Sequence, residues 1–163
     1  MRIVLLGNAG AGKSTMARRL IAKAGAGIPR LSLDEIAWGG AAHRLPLKES
    51  LEQLHLFLRV NDLWIIEGCY SDLVEAALPD CTELRFLNPG VDACVAHCHQ
   101  RPWEPEKFPS ADAQQGMLDQ LLAWVRDYET REDEYGLKRH RQIFDRFNGF
   151  KREFTSVASY VEG

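Results

Sequence analysis

A chain of 163 residues, 45% hydrophobic and 26% charged, has the size and composition of one globular domain with an ordinary core, and a second folded domain is not expected. The formal net charge of −3 gives no global attraction to a polyanion, which argues against nucleic acid as the main partner. No apolar run approaches the ~20 residues of a membrane span, and the first residues lead straight into an apolar strand rather than a cleavable signal, so a cytoplasmic protein without a membrane segment is expected.

In chain order, "RIVLLG" (residues 2–7) reads as a buried strand. A helix is expected over residues 13–25, with Ala17, Leu20, Ile21 and Ala24 on one face. "PRLSLD" reads as a second strand ending at Asp34, and a glycine-rich loop follows around Gly39 and Gly40. Leu47, Leu51, Leu54 and Leu58 make a helical stripe that leads into "DLWIIEG", a third strand. "TELRFLNP" is a fourth strand stopped by Pro89, and a helix is expected from Val91 to Arg101. Three of the seven prolines fall within residues 102–109, which predicts a loop there. Leu118, Leu121, Leu122 and Val125 mark another helix, a short one is expected near residues 137–147, and "REFTS" reads as a last strand. Alternation of apolar runs with helical stripes predicts an α/β domain built on a mainly parallel sheet.

Gly7, Gly12, Lys13 and Ser14 satisfy G-x-x-x-x-G-K-[ST] without substitution, with a strand before and a helix after. Asn8, Ala9, Gly10 and Ala11 fill the turn, and Thr15 lies just inside the helix. In such a loop successive N–H groups curl around phosphate oxygens at the positive end of the helix dipole. Lys13 is expected to reach the β- and γ-phosphates and the Ser14 hydroxyl to ligate Mg²⁺, so the expected ligand is a nucleoside triphosphate, ATP in the first place.

Two acids fall where the second and third strands are expected to end, on the edge that carries the loop. Glu67 closes an apolar strand and suits a Mg²⁺ site, directly or through water. Asp34 suits a base for an acceptor hydroxyl or a second support for the metal. The two roles can be exchanged, and either acid can instead be a helix cap or turn former. Phosphoryl transfer without hydrolysis needs water excluded, commonly by a closing segment that carries arginine. Arg101 leads into the proline-rich segment and is the first candidate, and Arg131, Arg139 and Arg141 follow, with a solvated surface as the alternative for each.

The four cysteines, Cys69, Cys81, Cys94 and Cys98, are expected as free thiols. Cys94 and Cys98 with His97 and His99 resemble a metal cluster. Val91, Cys94, Val95 and Cys98 nevertheless share the i, i+3, i+4, i+7 stripe of a buried helix face, and no second ligand pair accompanies them. No metal ligand is assigned to this cluster.

"GNAGAGKST", "LSLDEIAW", "WIIEGCY" and "FLNP" together resemble the small P-loop kinases of the adenylate kinase and shikimate kinase type, and more closely the bacterial adenylate kinase-like topology modulation proteins. The likeness is strongest up to Gln100. It implies a three-layer α/β/α P-loop NTPase fold with a five-stranded parallel sheet in the order 2-3-1-4-5. It also implies a lid over about residues 101–116 that contains Arg101, and an adenine loop near Thr155, Ser156 and Val157. Gly68-Cys69-Tyr70 stands where shikimate kinases carry three glycines, and residues 31–75 hold only Arg44 and Arg59, fewer arginines than nucleoside monophosphate kinases place around an acceptor phosphate. Asp34, Glu35, Trp38, Glu67 and Tyr70 suit a neutral or cationic hydroxyl compound better than a dianion.

The sequence therefore predicts an ATP-dependent phosphotransferase acting on a small molecule, with Lys13, Asp34, Glu67 and Arg101 as catalytic residues and Ser14 and Glu67 at the metal. The rival is a nucleotide-binding regulatory ATPase associated with DNA. It rests on Lys138, Arg139, Arg141, Arg146, Lys151 and Arg152, which outnumber Asp145, Glu153 and Glu162. No helix carries a heptad seam from which to argue an oligomer.

Overall fold

The computed structural model describes residues 1–163 apart from Ala26, residues 40–42, Glu106, Lys107, Gly163 and the side chain of Glu162. Among the described residues five runs pair as one parallel sheet: β1 (Arg2–Gly7), β2 (Arg30–Ser32), β3 (Trp64–Gly68), β4 (Glu83–Leu87) and β5 (Phe150–Phe154). Their order is β2-β3-β1-β4-β5. The central strands are apolar almost throughout because helices cover both of their faces.

The helices are α1 (Lys13–Ala24), α2 (Leu33–Trp38), α3 (Leu47–Val60), α4 (Ser71–Ala77), α5 (Val91–His99), α6 (Ala111–Gly116), α7 (Leu118–Arg126) and α8 (Leu137–Arg146). Successive side chains of a strand point to opposite faces, and this alternation divides the core in two. Val4, Leu6, Trp64, Ile66, Leu84 and Phe86 pack with Ile36, Leu54, Leu73, Val74 and Ile143 from α2, α3, α4 and α8. Ile3, Leu5, Ile65, Leu87 and Phe154 pack on the other side with Met16, Leu20, Cys94, Cys98, Leu122 and Val125 from α1, α5 and α7. The result is the expected three-layer α/β/α arrangement with the strand order 2-3-1-4-5.

Several boundaries differ from expectation. β2 ends at Ser32, and Asp34 lies in the first turn of α2 instead of at the end of a strand. The cause is local: Leu33, Ile36 and Ala37 are a buried helical stripe, while Asp34 and Glu35 favour the positive end of a helix. β3 begins at Trp64, two residues later than expected, and α5 stops at His99 before Arg101. β5 lies two residues earlier than "REFTS", because the register Glu83↔Phe150 to Leu87↔Phe154 buries Phe154. Helices α2, α4 and α6 have no counterpart in the sequence reading, and Gly40 lies outside the described residues. Among the described residues no helix is long and apolar enough to cross a membrane.

Candidate functional site

The turn between β1 and α1 is forced by its glycines. Gly10 has φ 77°, and a Cβ there would lie 2.3 Å from the Cys94 carbonyl oxygen. Gly12, with φ 89°, occupies the cap position from which α1 starts. Three elements brace the loop from outside. His97 Nδ1 donates to the Gly10 carbonyl at 2.7 Å, the Tyr160 hydroxyl to the Ala11 carbonyl at 2.7 Å, and Asn8 Nδ2 to the Val125 carbonyl at 3.0 Å. Lys13 is buried and turns back into the loop, donating from Nζ to the carbonyls of Gly7 at 3.1 Å and Asn8 at 2.7 Å. A cation is thus held inside a curl of backbone at a helix start, the arrangement that binds phosphates.

β3 lies next to β1 with Leu5 opposite Glu67, so Glu67 is brought beside the first turn of α1. Ser14 Oγ donates to Glu67 Oε1 at 2.6 Å, and Arg30 from β2 donates to the same oxygen at 3.0 Å. A hydroxyl and a carboxylate beside a phosphate-binding loop are hard oxygen donors of the kind Mg²⁺ takes together with substrate phosphates. The residues present therefore fit that ion. Arg30 compensates the buried carboxylate, and its pairing across 37 positions had no counterpart in the sequence reading. Among the described residues no three His, Cys, Asp or Glu side chains gather as a metal centre of their own.

A second group sits one strand further along the same edge. Trp38 Nε1 donates to the Tyr70 hydroxyl at 2.7 Å, and that hydroxyl donates to Asp34 Oδ1 at 2.6 Å. Tyr70 is buried, and desolvation, reinforced by the Asp34 charge, raises its phenol far above the ordinary value, so its proton is retained. Burial also pushes the neighbouring Cys69 thiol up to about 12, with Lys13 opposing the shift and Asp34 and Glu134 adding to it. The turn Gly68-Cys69-Tyr70 is therefore within electrostatic reach of both the loop lysine and the acids opposite.

Arg44 ties this turn to more distant segments. It makes a bidentate pair with Asp72 at 2.9 and 2.7 Å, meets Glu134, donates to the Tyr135 hydroxyl at 2.8 Å and lies over the Tyr70 ring at 5.1 Å. Burial raises the Glu134 carboxyl, and Asp72 adds to the effect, while Arg44 opposes it. From behind, His140 Nε2 donates to the Cys69 carbonyl at 2.9 Å, which fixes the tautomer so that Nδ1 accepts from the Tyr128 hydroxyl at 2.8 Å. Neither Arg44 as a clamp nor His140 as a support was read from the sequence, since their partners lie as far as 91 and 71 positions away.

The other expected residues are distributed as follows. Arg101 pairs with Glu104 at 3.4 Å. The segment that follows is folded on itself, with Gln114 accepting from the Glu104 amide at 2.8 Å and donating to the Pro102 carbonyl at 3.0 Å. Glu106 and Lys107, part of the expected lid, lie outside the described residues. Arg131 pairs with Asp133 and stacks over Trp124, Arg139 meets Glu75, and Arg141 makes a bidentate pair with Glu153. Each of these three is paired with an acid of the fold, and Lys151 donates to the carbonyls of Phe144, Asp145 and Phe147. Thr155 and Ser156 follow β5 directly, and Val157 begins a 3₁₀ turn that carries Tyr160. Cys94 and Cys98 are buried in the core beneath α5, and burial lifts the Cys94 thiol to about 11.

No protein-family model matches the sequence, and comparison with curated proteins finds no match. Among solved structures, a gluconokinase from Sinorhizobium meliloti is similar with a TM-score of 0.50 and 16% identity, covering 99% of this chain and 87% of that one. An unliganded sugar kinase from a Janibacter species is similar with a TM-score of 0.52 and 13% identity, covering 93% of this chain and 83% of that one. With its sheet order, its phosphate loop and these neighbours, the chain has the fold of the P-loop small-molecule kinases.

Proposed function

We propose that this protein is a single-domain, ATP-dependent kinase that phosphorylates a hydroxyl group of a small molecule. The observation that carries the reading is the sharing of one sheet edge by two sites: the Gly7–Ser14 loop with Glu67, and the Asp34–Tyr70–Trp38 group one strand away. The two structural neighbours support it, since both are named as kinases of hydroxyl-bearing compounds. Asp72 and Glu134 pair with Arg44 and compensate its charge, while Asp34 adds a further acid beside Tyr70, and this favours a neutral or cationic acceptor over a dianion.

In this reading the amides of residues Gly7 to Thr15 and the ammonium of Lys13 bind the β- and γ-phosphates. Ser14 and Glu67 would hold Mg²⁺, which when bound neutralises charge on those phosphates. Asp34 orients the acceptor and takes its hydroxyl proton as the oxygen bonds to the γ-phosphorus. The bond from that phosphorus to the bridging oxygen breaks, and ADP leaves. Arg101 closes over the γ-phosphate from the lid after parting from Glu104.

The test is ADP release with MgATP against a panel of sugars, sugar acids, aminoalcohols, nucleosides and nucleoside monophosphates, with Lys13→Ala beside the wild type. Acceptor-stimulated release that vanishes in the variant is expected. Tight ATP binding with no stimulation by any acceptor would reject the kinase. Of the six cations on which the DNA-associated alternative rests, Arg139, Arg141 and Lys151 have partners within the fold, which favours the kinase reading over it.

A further inference from the structure

We infer that Tyr70 is a positioning residue for Asp34, an inference that rests on the kinase reading above. A phenol hydroxyl has one proton to give, and two neighbours decide where it goes. Trp38 Nε1 can only donate, so its 2.7 Å contact makes the Tyr70 oxygen an acceptor on that side. The proton is thereby directed to Asp34 Oδ1 at 2.6 Å. This is a charge-assisted hydrogen bond, made by a side chain that is 4% exposed to an acid in the first turn of a short helix.

The orientation of Asp34 therefore does not depend on α2 alone. Tyr70 leaves β3 immediately after Gly68 and Cys69, and its ring is held on one face by Arg44 at 5.1 Å and edge-on by Tyr135 at 5.6 Å. His140 fixes the preceding carbonyl of Cys69. The ring is accordingly anchored to the sheet and to α8, and it transmits that fixed position to the carboxylate. A base must meet the acceptor proton within hydrogen-bond reach, and small displacements of a reacting group lower turnover steeply. Tyr70 donates to the carboxylate and does not itself receive the acceptor proton. It acts through Asp34, which takes that proton as the new oxygen–phosphorus bond forms.

The prediction is a cycle of Tyr70→Phe, Asp34→Asn and the double variant. Tyr70→Phe lowers kcat with the best acceptor about 10-fold or more, while the Kd of MgATP stays within about 2-fold of wild type. Once Asp34 is Asn, the further change of Tyr70 to Phe costs no additional activity. Equal, multiplicative losses in both backgrounds would overturn the inference, as would a Tyr70→Phe enzyme with unchanged kcat. The same cycle in urea reads the contact without any turnover. Midpoint losses smaller in the double variant than the sum of the singles are expected, and strict additivity would show that the two side chains do not interact. Coupling in urea with no acceptor-stimulated turnover by the wild type would reject the kinase reading, and the positioning role with it, while leaving the contact established.

Discussion

Ser14 and Glu67 meet at 2.6 Å although 53 positions separate them, because the parallel pairing of β1 and β3 sets the end of one strand beside the helix that follows the other. Arg30 reaches the same carboxylate oxygen from β2. If this pair holds the metal of the proposed reaction, Ser14→Ala and Glu67→Gln each raise the Mg²⁺ concentration for half-maximal turnover by about 10-fold or more. Arg30→Met has the opposite effect on Mg²⁺, since it removes a competing cation. It also leaves a buried carboxylate less well satisfied and lowers stability by about 1–3 kcal/mol. Mg²⁺ titrations and urea unfolding of the three variants check both signs.

Gly10→Ala should remove nucleotide binding. The added methyl would have to enter the space of the Cys94 carbonyl oxygen, and φ 77° is strained for any residue with a side chain. A loss of about 2 kcal/mol or more in stability accompanies the loss of ATP binding. Calorimetric titration with MgATP, run beside Gly25→Ala, separates the two effects: Gly25 shares the strained backbone (φ 93°) but a Cβ there meets nothing within 4 Å, so that variant loses stability and keeps ATP binding.

Arg44→Met leaves Asp72 and Glu134 facing one another without their shared cation. A loss of about 2–3 kcal/mol at neutral pH is expected, with partial recovery when Asp72→Asn is added. The Glu134 carboxyl is already raised by burial and by Asp72. A carboxyl raised in the folded state favours folding at low pH, and that contribution is lost as pH rises through its folded value. The deficit of the variant is therefore smaller near pH 5 than at pH 7, which urea midpoints at the two pH values test.

His140 supplies a pH dependence of the opposite sign. Burial lowers its imidazole from the ordinary 6.5 to about 4. The unfolded chain then binds a proton that the folded one refuses. Stability is fully present above about pH 6.5 and is lost as pH falls toward 4, by about 3 kcal/mol in all. Urea midpoints between pH 7 and pH 4.5 should show the decline, and His140→Gln should flatten it.

The P-loop was legible because its chemistry is local: the glycines, the lysine and the serine lie within eight consecutive positions, Gly7 to Ser14. The sheet order followed from the resemblance, and the alternation of strands and helices followed from apolar periodicity. Asp34 reads as a strand end because "LSLD" looks like the close of an apolar run. The three-residue β2 is an edge strand, and the stripe of Leu33, Ile36 and Ala37 overrides its extension. The ion pairs of Arg30 and Arg44 and the support from His140 were not legible. A single sequence gives a polar side chain no mark of a partner dozens of positions away, and only the folded sheet brings the two together. Arg139 and Arg141 were candidates for a phosphate clamp on composition alone, and the acids that occupy them, Glu75 and Glu153, are visible only in three dimensions.

The hydroxyl of Tyr160 closes on the backbone of Ala11, 149 positions upstream. On the ribosome, Ala11 emerges early and waits for that partner for roughly 7 to 30 s at ordinary elongation rates of about 5–20 residues per second. Throughout that interval the nascent chain carries a complete phosphate-loop sequence without the complete loop. If the loop binds ATP as proposed, the nucleotide meets its fully braced form only after Tyr160 has been made, and it then acts as a late seal on this fold and not as an early template for it.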